Sequence, residues 1–84
     1  MKSKVDPAFW RRFNALPAEI QDLAENNFKV WLKDTFYPSF RFKNFKGNIW
    51  SVRVGAHYRA TEYFLKADTF VWIWIGTHEE YNKL

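Results

Sequence analysis

Two runs, Ile49-Trp50-Ser51-Val52-Arg53-Val54 and Tyr58-Arg59-Ala60-Thr61-Glu62-Tyr63-Phe64-Leu65, joined by Gly55-Ala56-His57, decide the fold. Side chains of a strand alternate between its faces. In the first run Trp50, Val52 and Val54 share one face, and Ser51 and Arg53 the other. In the second, Arg59, Thr61 and Tyr63 lie opposite Tyr58, Ala60 and Phe64. So short a glycine-containing link reads as a hairpin. A three- or five-residue connection centred on Ala56 sets Val52 beside Ala60 and Arg53 beside Arg59. A two-residue loop would instead turn Arg53 onto its neighbour's core face. The register that buries the apolar residues therefore pairs two arginines, and like charges directly opposite one another destabilise a sheet. An anion between them would offset the repulsion through bidentate hydrogen bonds.

Outward from the hairpin, Lys66-Ala67-Asp68 turns the chain into a further strand, Phe70 to Ile75. Both of its alternating sets are apolar, Phe70, Trp72 and Trp74 against Val71, Ile73 and Ile75, so it should lie inside the sheet with cover on both sides. Before the hairpin, Phe40 to Phe45 alternates rings with Arg41 and Lys43, and Lys46-Gly47-Asn48 is a turn. Strands this close in sequence pair as an antiparallel meander.

The N-terminal half has the helical period. Asp6 caps a helix with Pro7 at its first position, and Phe9, Phe13 and Leu16 fall on one face. Pro17 ends that helix and starts the next. There the stripe is Ile20, Leu23, Ala24, Phe28, Trp31 and Leu32, closed by Asp34, Thr35 and Pro38. Thr77 and Glu80 stand in capping-box spacing, so a short C-terminal helix can start at His78. The elements make a single α+β domain over residues 1–84: a helical hairpin, an antiparallel sheet of about four strands and a short C-terminal helix.

The chain has 84 residues, a net charge of +4 and no cysteine. Absence of cysteine excludes a disulfide scaffold, a thiolate metal site and a cysteine nucleophile. Its two histidines, His57 and His78, are far apart in sequence, which argues against zinc. Neither a metal nor another cofactor is expected. The longest apolar stretch, Phe70 to Ile75, falls well short of the roughly 20 residues of a spanning helix. No membrane partner is expected, and a cysteine-free chain without a signal-peptide pattern reads as cytoplasmic. With 9 Phe, 5 Trp and 4 Tyr, the rings supply the core of a small domain.

The charge is unevenly placed. Between Asp34 and Glu62 no acidic residue occurs, whereas Arg41, Lys43, Lys46, Arg53 and Arg59 do. A one-sided basic sheet suits a phosphate backbone. Near a phosphate, a histidine can act as general acid or base. His78, at a helix start, is better placed for that than His57, in a turn. No Ser-His-Asp set, P-loop or paired-carboxylate site stands out.

Three segments carry a family resemblance: Tyr37-Pro38-Ser39-Phe40-Arg41-Phe42-Lys43-Asn44-Phe45-Lys46-Gly47, then Trp50 to Gly55 with Tyr58-Arg59, then Phe70 to Tyr81 with Ile75-Gly76-Thr77-His78. In order, and with Leu16 to Ile20 before them, they resemble the RelE/ParE toxin superfamily from about Phe9 onward. The resemblance implies a helical hairpin packed on a curved antiparallel sheet, preceded by a strand that corresponds here to about Met1–Val5. It also implies the toxin half of a toxin–antitoxin pair, with a cognate antitoxin as partner. RelE-like members cut mRNA on the ribosome, without metal, by positioning the 2′-hydroxyl against the adjacent phosphate. ParE-like members share the fold and inhibit DNA gyrase instead, and an inactive, partner-binding member is a third possibility. Carried over by position, Arg59, Arg53 and His78 are the implied catalytic residues. Lys46 and Tyr81 are implied RNA and phosphate contacts, and Lys43 and Arg41 of the basic run are expected to join them.

Overall fold

A computed structural model describes residues 2–66 and 68–84; Met1, and Ala67 at the centre of the expected turn, lie outside the described residues. In chain order the elements are β1 (Lys2–Val5), α1 (Pro7–Asn14), α2 (Ala18–Lys33), β2 (Lys43–Lys46), β3 (Ile49–Val54), β4 (Tyr58–Lys66), β5 (Thr69–Thr77) and α3 (His78–Tyr81). The sheet order is β1-β5-β4-β3-β2. Four strands form the expected antiparallel meander, and β1 adds a fifth, parallel to β5. That pairing gives β5 a hydrogen-bonded neighbour on each edge, which places it inside the sheet as expected.

The local signals act as their chemistry dictates. The Asp6 carboxylate accepts from the Ala8 N–H at 2.8 Å, and Pro7 opens α1. Pro17, in extended geometry, separates the helices. α1 buries Phe9 and Phe13, and α2 buries Trp31, against one face of the sheet. Trp31 meets Trp72 edge-on at 5.2 Å, with Phe70 and Phe28 around it. Each such ring removes a large apolar area from water, worth about 2 kcal/mol or more per fully buried side chain. Leu32 departs from the expected stripe and is exposed, because the helix turns that position away from the sheet.

Two strand readings need correction. The segment Phe40 to Phe45 is not one strand. Pro38–Phe40 is a turn of 3-10 helix, Arg41 follows with φ 45°, and β2 begins only at Lys43. Proline at the first turn position fixes the local helical geometry, and a left-handed residue cannot continue a strand. In β5 the expected alternation fails midway. Trp74 pairs with Thr61, but Trp72 pairs with the next residue, Glu62, so Ile73 is an extra residue. Such a bulge reverses the faces beyond it. Phe70, Trp72 and Ile75 therefore share the helix side, rather than Phe70, Trp72 and Trp74.

Glu62 has the β4 parity of Ala60 and Phe64, hence the helix side, and pairs with Trp50 and Trp72 on the adjoining strands. It is fully buried, and neither carboxyl oxygen has a hydrogen-bond partner. Burial pushes its pKa up to about 9, because a charged carboxylate there would have no solvent and no cation.

Candidate functional site

The face opposite the helical hairpin holds the basic residues. β3 and β4 pair Val52 with Ala60 and Arg53 with Arg59, the register that buries the apolar set. Gly55, at φ 62°, makes the connecting turn, and a Cβ there would come within 2.7 Å of Leu23. The two arginines settle differently. Arg53 Nε donates to the Gly55 carbonyl at 2.9 Å, which fixes its guanidinium at the turn. Arg59 is only 4% exposed. Its Nη2 donates to Ser51 Oγ at 3.0 Å and to the Arg41 carbonyl at 3.4 Å, while its buried Nε has no partner among the described residues.

α3 supplies the cover that holds Arg59 in place. Thr77 and Glu80 form the capping box: the Glu80 N–H donates to Thr77 Oγ1, and Glu80 Oε1 accepts from the Thr77 N–H. Those hydrogen bonds, with help from the Arg12 guanidinium, hold the Glu80 carboxyl below its ordinary value. Arg12 of α1 donates from Nε to the Ile75 carbonyl at 2.8 Å and from Nη2 to Glu80 at 3.0 Å, which ties α3 to the first helix. The buried Tyr81 is thereby set over the sheet. Its ring lies 5.0 Å from the Arg59 guanidinium, and its hydroxyl donates to Ser51 Oγ at 3.1 Å. Burial lowers the Arg59 pKa; the Tyr81 phenol opposes that shift, and the neighbouring Arg53 and Arg41 charges add to it. A guanidinium stays charged at neutral pH all the same. It is a desolvated cation whose Nε is buried and unpaired among the described residues.

Beside Arg59 opens a cavity of about 740 Å³ lined by Arg41, Lys43, Arg53, Arg59, His57 and His78, with Tyr58, Thr77 and Glu79. Four cations face one carboxylate. The sites expected from sequence separate into two groups. Arg59, Arg53, His78, Lys43 and Arg41 come together at this cavity. Lys46 does not line it; it lies at the end of β2 with its ammonium 5.2 Å from the Phe45 ring. Tyr81 is buried as a support for Arg59 rather than presented to a ligand.

The sequence favours His78 over His57 and gives Ser51 no role. His57 reaches the cavity because the β3–β4 turn folds back to the start of α3, where the His78 N–H donates to the His57 carbonyl at 2.7 Å. Ser51 serves as the acceptor shared by Arg59 and Tyr81. Its strand parity, opposite the core, is the signal the sequence carries for it. A second groove of about 840 Å³, between α2 and the Tyr37–Arg41 segment, shares Arg41, Arg53 and Ala56 with the basic cavity. Left-handed Arg41 stands where the two meet.

Chemically, such a cavity favours an anion, phosphate and carboxylate groups alike. Guanidinium groups bind phosphate oxygens through paired N–H donors. They also stabilise charge that grows on those oxygens during displacement. Among the described residues no group of three His, Cys, Asp or Glu side chains could hold a metal ion.

Comparison with known proteins agrees with the fold. Residues 18–83 match the family described as the ParE-like toxin domain. No curated protein sequence matches the chain. Among solved structures, the fold is similar to that of a RelB-RelE antitoxin-toxin complex from Methanococcus jannaschii, with a TM-score of 0.74, 16% identity and 95% of each chain covered. It is also similar to a YoeB/ParE toxin from Agrobacterium tumefaciens, with a TM-score of 0.71, 16% identity, and 93% of this chain and 99% of that one covered. The toxin-antitoxin complex RelBE2 from Mycobacterium tuberculosis gives a TM-score of 0.69 at 17% identity, covering 92% and 96%.

Proposed function

We propose, from the premise that the chain belongs to the ParE-like toxin domain family, that it is the toxin of a toxin–antitoxin pair and an mRNA endonuclease acting on the ribosome. The observation that carries this reading is the cavity itself. Four cations line it, the buried Arg59 among them, together with two histidines.

The chemistry follows from those groups. The ribose 2′-oxygen attacks the adjacent phosphorus, and the phosphate oxygens gain negative charge as the five-coordinate state forms. Arg59, with Arg53 paired beside it, stabilises that charge. Arg41 and Lys43 hold flanking phosphates, and Lys46 extends the basic surface along β2. His78 moves a proton at the reacting oxygens. No step calls for a metal. A cognate antitoxin that silences the toxin presents acidic residues on an amphipathic segment to the same face.

The second reading is inhibition of DNA gyrase, favoured by the match to a family described as ParE-like. Two assays run side by side separate them: cleavage of mRNA programmed on ribosomes, and gyrase supercoiling. The nuclease reading expects cleavage and unaffected supercoiling. It further expects Arg59→Ala to lower cleavage by about 10²–10³-fold. Full cleavage by Arg59→Ala would remove Arg59 from the chemistry.

A further inference from the structure

The chain has two histidines, and both line the same basic cavity although 21 positions separate them in sequence. The fold brings them together by a definite route. β4 and β5 pair Arg59 with Gly76 and Tyr58 with Thr77. Just beyond that pair, His57 in the β3–β4 turn and His78 at the start of α3 are joined by one backbone hydrogen bond, the His78 N–H donating to the His57 carbonyl at 2.7 Å. Both residues are exposed, and both line the cavity that the buried Arg59 also lines.

We infer that His57 is a second catalytic residue, forming with His78 a general acid–base pair across the scissile phosphate. The inference rests on the nuclease reading and adds a residue and a proton route to it. In-line displacement brings the entering oxygen to one side of phosphorus and expels the leaving oxygen from the other, so removal and delivery of a proton fall to two groups. A neutral imidazole accepts the proton of the 2′-hydroxyl as the O2′–P bond forms. The imidazolium of the other histidine donates a proton to the 5′-oxygen as the P–O5′ bond breaks. The products are a 2′,3′-cyclic phosphate and a free 5′-hydroxyl, and the total number of protons is unchanged. Imidazole is suited to both halves because its ordinary pKa lies within the range of cellular pH. The surrounding guanidiniums hold charge throughout and can do neither.

Single-turnover cleavage of ribosome-programmed mRNA between pH 5 and 9 tests the pair, with the unaltered protein, His57→Gln and His78→Gln. The unaltered protein should give a bell-shaped profile. Each variant should cleave about 10²-fold or more slowly and lose one limb of the bell, the acidic limb marking the base and the alkaline limb the acid. In a parallel NMR titration, uridine 2′,3′-cyclic phosphate should move the imidazole signals of both residues. If His57→Gln retains full rate and both limbs while the unaltered protein cleaves, the pair is overturned and the nuclease reading stands. A response of His78 alone to the cyclic phosphate overturns it equally. If the unaltered protein does not cleave mRNA on ribosomes, the nuclease reading itself fails, and the pair with it.

Discussion

Replacing Glu62 with glutamine tests the account of the core through its pH dependence. Glu62 sits fully buried on the helix side of β4, between Trp50 and Trp72, with both carboxyl oxygens unpartnered. Burial raises its pKa from the ordinary 4.5 to about 9. Between those values the folded chain keeps the proton and the unfolded chain does not. Unfolding therefore releases a proton, and stability falls as pH rises. The protonated core contributes fully below pH 4.5, and that contribution is lost as pH climbs through the folded value near 9. The slope is about 1.4 kcal/mol per pH unit. Between pH 5.5 and 7.5 the loss is on the order of 3 kcal/mol, a large share of the 5–15 kcal/mol typical of a small domain. Glutamine has nearly the same shape and no proton to lose. Urea unfolding of both proteins at closely spaced pH values between 5 and 9 isolates the effect, since every other titrating group is common to the pair and cancels. The difference in unfolding free energy should change by about 1.4 kcal/mol per unit, in favour of glutamine at higher pH. Parallel curves would refute the reasoning, because they require a carboxylate already ionised in the folded state.

Three further outcomes are expected. Gly76→Ala should lower stability by about 1–3 kcal/mol in the same urea assay, because a Cβ there would lie within 2.9 Å of Arg12 Nη2 and Glu80 Oε1 and 2.7 Å of the Trp74 ring; wild-type stability would mean that α3 is not tied down by those groups. Tyr81→Phe removes the hydroxyl bonded to Ser51 but keeps the ring over Arg59. It should cost about 1 kcal/mol, against about 3–5 for Tyr81→Ala, and equal losses would show that the ring contributes nothing as cover. Binding of a short single-stranded RNA should weaken with salt at a log–log slope of roughly −3 if Arg41, Lys43, Arg53 and Arg59 each neutralise one phosphate. Arg53→Gln should flatten that slope by about 0.7, and an unchanged slope would place Arg53 off the phosphate path.

Whether a feature is legible in the sequence depends on whether it follows from parity or from what parity meets. Arg53 opposite Arg59 is legible because the side-chain period of a strand is two, and any other register exposes the apolar set. The capping box before α3 is legible because its four residues are contiguous. The bulge at Ile73 is not, since every residue around it is apolar and either face accepts it. Nor is the turn at Arg41, where a left-handed non-glycine residue costs about 1 kcal/mol or more and persists only because surrounding contacts fix it. Glu62 is signalled, since it shares strand parity with Ala60 and Phe64, and a carboxyl among those side chains contradicts a burying face. Tyr81 shows the limit of reading a site by residue type. A tyrosine near a basic cavity looks like a surface for bases, yet only the position of α3 decides whether its ring faces a ligand or supports the arginine that does. The same holds in reverse for His57. Its place in a turn argues for a bystander, yet a backbone hydrogen bond from His78 at the start of α3 brings it to the same cavity. Residue type therefore narrows the ligand to an anion, and which groups line the cavity is decided by long-range pairing.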